Sequence, residues 1–182
     1  FNANTGATIR AIEFFTESNE AWQPIAIDTI QDGNMDGTGT DSAIVMLAEN
    51  LATGQIKVHF RGSESGAKLR TNVPFFNANW TAIDVAVVED INGDGTLGDA
   101  GIAVLAQHKT NGAYEVRMTT FNTVNNVPDL TQRFFTPAWD VKAIEASVMP
   151  GGGDSVIIAL GTDAGGTSKA QVRLVSDGSF RN

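Results

Sequence analysis

The chain contains no cysteine. That excludes disulfides, thiolate zinc sites and cysteine nucleophiles, and leaves the compartment open. Basic residues are also scarce. Lys and Arg total 12 against 21 Asp and Glu, for a formal net charge of −9. A deficit of that size argues against nucleic acid, whose phosphates need a basic face. It suits a protein that binds cations or stays soluble by charge. No apolar run reaches the length of a membrane-spanning helix, so no membrane insertion is expected. The sequence begins at Phe1 rather than Met and shows no signal peptide, which suggests a processed or excised piece of something longer.

What is present is apolar and periodic. Hydrophobic residues make up 42% and charged residues 18% of 182 positions, enough to fold and to bury a core. "FFTESNEAW", "FFNANW" and "FFTPAW" end at Trp22, Trp80 and Trp139, which are 58 and 59 residues apart (80 − 22 and 139 − 80). After each tryptophan come three apolar runs and a short fourth segment that returns to the next Phe-Phe. The runs are rich in Val and Ile, alternate or are continuously apolar, and are bounded by Gly, Asn, Asp or Thr. No segment carries a 3.6-residue stripe with caps. The expectation is an all-β protein of three four-stranded antiparallel units, 16–76, 77–135 and 136–182. Residues 1–15 would be the end of a preceding unit. Four-stranded repeats of about 58 residues are the mark of β-propeller blades. Three blades leave edges that invite self-association to close a propeller.

Two acidic loops lie in register within this pattern. "DGNMDGTGTD" (32–41) and "DINGDGTLGD" (90–99) superpose at an offset of 58. Asp32, Asn34, Asp36, Thr38 and Asp41 match Asp90, Asn92, Asp94, Thr96 and Asp99, while the residues between them vary freely. Ca²⁺ takes six to eight hard oxygens. A loop with oxygens at positions 1, 3 and 5, glycine at 6 and a carbonyl at 7 converges them on one point. An EF-hand would need Glu at position 12, where Ala43 and Gly101 stand, and flanking helices, which the pattern lacks. Two calcium sites of the strand-turn-strand kind are therefore expected. The third unit has only "PGGGD" there and is shorter by four residues (41 − 22 against 154 − 139), so no metal is expected in it.

On these loops and the "AIVML" and "IAVL" strands after them, the chain resembles the FG-GAP/VCBS repeats of integrin alpha-subunit propellers and of bacterial surface and secreted proteins. The resemblance implies a calcium-stabilised propeller outside the cell or on the bacterial surface, non-catalytic, serving adhesion or protein binding. Loops of that family close on Asp at position 9. Here it falls at position 10, so Asp41 and Asp99 would bind directly or through water. The Phe-Gly…Gly-Ala-Pro hallmark is absent.

Other residues point elsewhere. Trp22, Trp80 and Trp139 could stack sugars in a carbohydrate-binding propeller, but their fixed period favours packing. A purely structural spacer in a large repeat protein is a further alternative; the ligand, protein or glycan, is not readable. His59 and His108 lack any nucleophile motif, and the pair Glu89 and Asp90 is better used in the loop, so no enzyme is expected. Asn79-Trp80-Thr81 is a formal glycosylation sequon, which a buried tryptophan would make inaccessible.

Overall fold

The computed structural model of the chain describes residues 11–15, 20–33, 38, 39, 41–69, 72–91, 95, 100–120, 130–148, 154–175, 180 and 181. Among these residues there is no helix, and twelve strands form three antiparallel sheets. Sheet 1 holds β1 (Trp22–Ile30), β2 (Ala43–Asn50), β3 (Ile56–Gly62) and β4 (Val73–Phe76), in that order. Sheet 2 holds β5 (Trp80–Val88), β6 (Gly101–His108), β7 (Tyr114–Thr120) and β8 (Leu130–Phe134). Sheet 3 holds β9 (Trp139–Val148), β10 (Ser155–Asp163), β11 (Ser168–Leu174) and β12 (Phe180–Arg181). Each is a meander in which sequence neighbours pair. Among the described residues the sheets close into no barrel or ring. Of residues 1–15, expected to be the end of a preceding unit, 1–10 lie outside the described residues and 11–15 form no strand.

The meander follows from tight turns between the second and third strands. Gly54, Gly112 and Gly166 take positive φ of 66°, 69° and 83° at the three turns, where a side chain would be strained. Asn50 and Asp163 cap two of them: Asn50 Oδ1 accepts the Ala52 and Thr53 amides, and Asp163 Oδ1 those of Gly165 and Thr167.

The first strand of every sheet also carries a bulge. Ile25, Ile83 and Lys142 have no partner in the register with β2, β6 and β10. These positions are 58 and 59 residues apart (83 − 25 and 142 − 83), the same intervals as the tryptophans. A bulge sharpens local twist, so the three sheets share a bend at the same place.

The sheets pack face to face. Ile30, Val45, Leu47, Val58 and Phe60 of sheet 1 meet Val85, Val87, Ile102 and Val104 of sheet 2 in one core. Ala86, Val88, Ala103, Leu105 and Val116 on the other face of sheet 2 meet Val141, Ile144, Ile157 and Ala159 of sheet 3 in a second. We call the face turned toward the preceding sheet the leading face and the opposite one the trailing face. Sheet 2 is apolar on both, which is why its strands read as near-continuous Val, Ile, Leu and Ala runs. Burying each such Val, Leu or Ile side chain is worth about 1.5–3 kcal/mol.

Candidate metal loops and the junctions that hold them

Both acidic loops leave the first strand of a sheet and return into the second. In the first loop Asp32 is 1% exposed. The Gly33 N–H donates to the Asp41 carbonyl at 3.1 Å and closes the loop neck. Asp41 Oδ1 is buried and accepts no hydrogen bond, an arrangement that attracts a cation or a proton donor. Thr38 is exposed. In the second loop Asp90 is 7% exposed and its Oδ2 accepts the Gly95 N–H at 2.7 Å. Gly95 has φ 81°, so position 6 turns back on position 1. The Asp90 carbonyl accepts the hydroxyl of buried Ser155 at the start of β10, which seats this loop against sheet 3.

Asn34, Asp36, Asn92, Asp94, Thr96 and Asp99 lie outside the described residues, as does the glycine turn at 151–153. Among the described residues no group of three or more His, Cys, Asp or Glu side chains is placed to share a metal ion. What the structure does bring together is Asp32 with the neck of its loop, and Asp90 with Gly95. Buried carboxylates at position 1, a closed neck and an unbonded Asp41 oxygen fit a hard divalent cation.

Position 2 of the loops does not vary as freely as the sequence suggested. Position 2 is Gly33 in one loop and Ile91 in the other; the residue ten further on is Ala43 or Gly101. A Cβ on Gly33 would lie 2.6 Å from the Asp41 carbonyl oxygen and 2.7 Å from the Ala43 Cβ, and a Cβ on Gly101 would lie 2.9 Å from both the Ile91 Cδ1 and the Thr119 carbonyl oxygen. Each junction thus holds one glycine and one side chain, on opposite sides.

Carboxylates also bridge consecutive sheets. Asp28 of β1 accepts the Thr29 N–H on Oδ1 and the Val87 N–H of β5 on Oδ2, both at 2.7 Å. Asp84 of β5 repeats this, taking the Val85 N–H and the Ile144 N–H of β9 at 2.9 Å each. Glu89 Oε1 accepts the Gln31 N–H at 2.8 Å. First strands are sheet edges, and these acids satisfy the next edge's amides. Burial pushes the Asp84 carboxyl above the ordinary range, against the hydrogen bonds from Ile144 and Val85, with repulsion from Asp28 adding to the rise. Burial likewise raises Glu89, opposed by the Gln31 bond and helped by Asp28 and Asp32.

A third feature recurs at the Phe-Phe linkers. Phe15 stacks on Trp22, Phe76 tilts against Trp80 and Phe135 against Trp139, with centroids 4.6, 4.9 and 5.0 Å apart. One residue on the third strand reaches back to each linker. His59 Nδ1 accepts the Phe15 N–H at 2.9 Å, and Gln171 Oε1 accepts the Phe135 N–H at 3.0 Å. Arg117 Nη1 donates to the Phe75 carbonyl at 3.0 Å while its guanidinium lies 4.3 Å from the Phe76 ring. Phe15 and Phe135 have positive φ, 56° and 51°, uncommon for bulky residues. At those two the amide is held; at the third linker the carbonyl is held instead.

His59 is therefore a buried linker clasp, and His108 Nδ1 accepts the Thr110 N–H at 3.3 Å on a turn. Trp80 is buried while Trp22 and Trp139 are half-buried. Asn79 is exposed despite its buried neighbour, so the shielding expected of the sequon is not provided by Trp80. Asp28, Asp84, Arg117, Gln171 and Ser155 went unread in the sequence. Asp28 and Asp84 did carry a signal: a lone acid inside an apolar strand run.

No protein-family model, curated protein or solved structure matches the chain.

Proposed function

We propose that the chain is a calcium-stabilised segment of β-propeller type, non-catalytic, from an extracellular or cell-surface protein of the integrin-like repeat kind, serving adhesion or protein binding. The observation that carries this reading is the pair of ten-residue acidic loops in register at an offset of 58, one of them folded so that the Asp90 carboxylate meets the Gly95 amide. Three consecutive four-stranded meanders, each laid on the next, support the blade reading.

Asp32, Asn34, Asp36, Thr38 and Asp41 would hold one ion, and Asp90, Asn92, Asp94, Thr96 and Asp99 the other. A bound Ca²⁺ supplies a positive charge that ties the loop's oxygens together. The chain's own residues do the rest. Gly33 and Asp41 close the first neck, and Ser155 anchors the second loop at the junction of sheets 2 and 3. Loops anchored in this way suit recognition, since ligand contacts are commonly carried on loops held by a scaffold.

Titration calorimetry on chelator-stripped protein, with a thermal melt at each end point, tests the reading. Two sites and a raised Tm are expected; at a hundredfold excess over Kd each site adds about 2.7 kcal/mol. Absence of binding would reduce both loops to hydrogen-bonded turns and remove the calcium function.

A carbohydrate-binding role is favoured by one observation. Half-buried Trp139 lines an open cleft of about 270 Å³ with Phe135, Arg133, Arg173 and Gln171. Binding on a glycan array, lost in Trp139→Ala, would support it.

A further inference from the structure

We infer that the trailing face of sheet 3 is a docking surface for the leading face of sheet 1 in a second copy of this chain. This shares the stacked-sheet part of the function proposed above but not its calcium.

The argument starts from the two junctions inside the chain. In both, a trailing face meets a leading face. The leading residues of sheet 2, Val85, Ile102 and Val104, are buried by sheet 1, and their counterparts Ile144, Ile157 and Ala159 are buried by sheet 2. The matching positions in sheet 1, 58 residues earlier, are Ile27, Ile44 and Met46. Ile27 is 61% exposed and the other two are half-buried.

The opposite end mirrors this. Ala103 and Leu105 on the trailing face of sheet 2 are fully buried. By strand register their counterparts in sheet 3 are Ile158 and Leu160. Leu160 is 47% exposed. Two of the four large apolar side chains exposed among the described residues, Ile27 and Leu160, thus lie on the outer faces of the end sheets.

The polar bridge is prepared as well. Asp28 has Glu145 as its counterpart two sheets on, matched through Ala86 (86 − 28 is 58, 145 − 86 is 59). Glu145 Oε1 accepts the Ala146 N–H at 3.1 Å, as Asp28 Oδ1 accepts that of Thr29. The second oxygen of Asp28 goes to the next sheet's edge amide. Glu145 is exposed, and among the described residues no sheet follows sheet 3. An edge amide of β1 in a second copy completes the set. Two faces of unlike kind make a head-to-tail contact, which yields a ring if its rotation closes and a filament otherwise.

The test is sedimentation or light scattering over a concentration series, with and without chelator. The wild-type chain should associate. Ile27→Lys and Leu160→Lys should each abolish growth beyond a monomer, because each removes one of the two unlike faces. Mixed in equal amounts they should give a one-to-one dimer and nothing larger, since each retains the face the other lacks. Both residues are exposed, and unchanged melts would show that the variants fold. A wild-type chain monomeric up to millimolar concentration, a Leu160→Lys chain that assembles normally, or a mixture that stays monomeric would each overturn the proposal. Calcium calorimetry is independent of these outcomes, so the two readings fail separately.

Discussion

Replacing Asp28 by Ala removes the acceptor for two amides of unequal standing. Thr29 is exposed, and its N–H turns to water at little cost. Val87 is 7% exposed and lies in the first inter-sheet core, so its N–H is orphaned at a cost of about 1–3 kcal/mol. Removing the charge also relieves repulsion on Asp84 and Glu89, which offsets part. A net loss of about 1–2 kcal/mol is expected, or roughly 2–8 °C in Tm for a chain of this size. Asp84→Ala should behave alike, since it strands the amide of buried Ile144. Glu145→Ala is the internal control: Glu145 makes the same kind of local bond but bridges to no sheet, so removing it from dilute protein should change stability by less than about 0.5 kcal/mol. Urea and thermal unfolding followed by tryptophan fluorescence read all three. If Glu145→Ala costs as much as Asp28→Ala, the carboxylates act within their own strands and the inter-sheet argument fails.

Three further outcomes are expected. Arg117→Ala should cost about 2–4 kcal/mol from the lost carbonyl bond and the ring contact, and Arg117→Lys should recover only part, seen in the same unfolding assays. Asp84 gives a pH signature. Its carboxyl is raised in the fold, so its contribution to stability is full below the ordinary carboxylate range and is lost as pH rises through the raised value; the penalty of Asp84→Asn should shrink between acidic and neutral pH, and a penalty that grows would contradict the assigned direction. Gly33→Ile should destabilise strongly, and adding Ala43→Gly should restore only the share due to the Ala43 Cβ in a double-mutant cycle, since the Asp41 carbonyl stays in place.

The strands were legible because every run keeps a period of two or an unbroken apolar stretch over a length strands favour. Trp22, Trp80 and Trp139 marked the repeat because a large ring at a fixed interval has few substitutes. The clasps at His59, Arg117 and Gln171 were not legible. Three unlike side chains do one job, holding a linker's backbone, and backbone recognition leaves no common letter. The bridges from Asp28 and Asp84 span 59 and 60 residues and involve main-chain amides, so only the acid could be seen and not its partner. In the loops the oxygen positions stood out from their matching chemistry. The exchange of Gly33 with Ala43 for Ile91 with Gly101 looked like drift until the distances coupled them.

That exchange bears on how the chain avoids pairing the wrong strands. β1 and β5 are alike in length and pattern, and either could begin to zip onto β2 or β6 while the chain folds. If β5 captured β2, Ile91 would be driven against Ala43, with no glycine to receive it. If β1 captured β6, Gly33 would face Gly101 and leave a void between them. Each correct hairpin has one glycine and one side chain; each swapped hairpin would have two side chains or none. The loop necks thus differ as mismatched keys do, and a few atoms of bulk at the point where each hairpin closes would favour its own partner over its neighbour's.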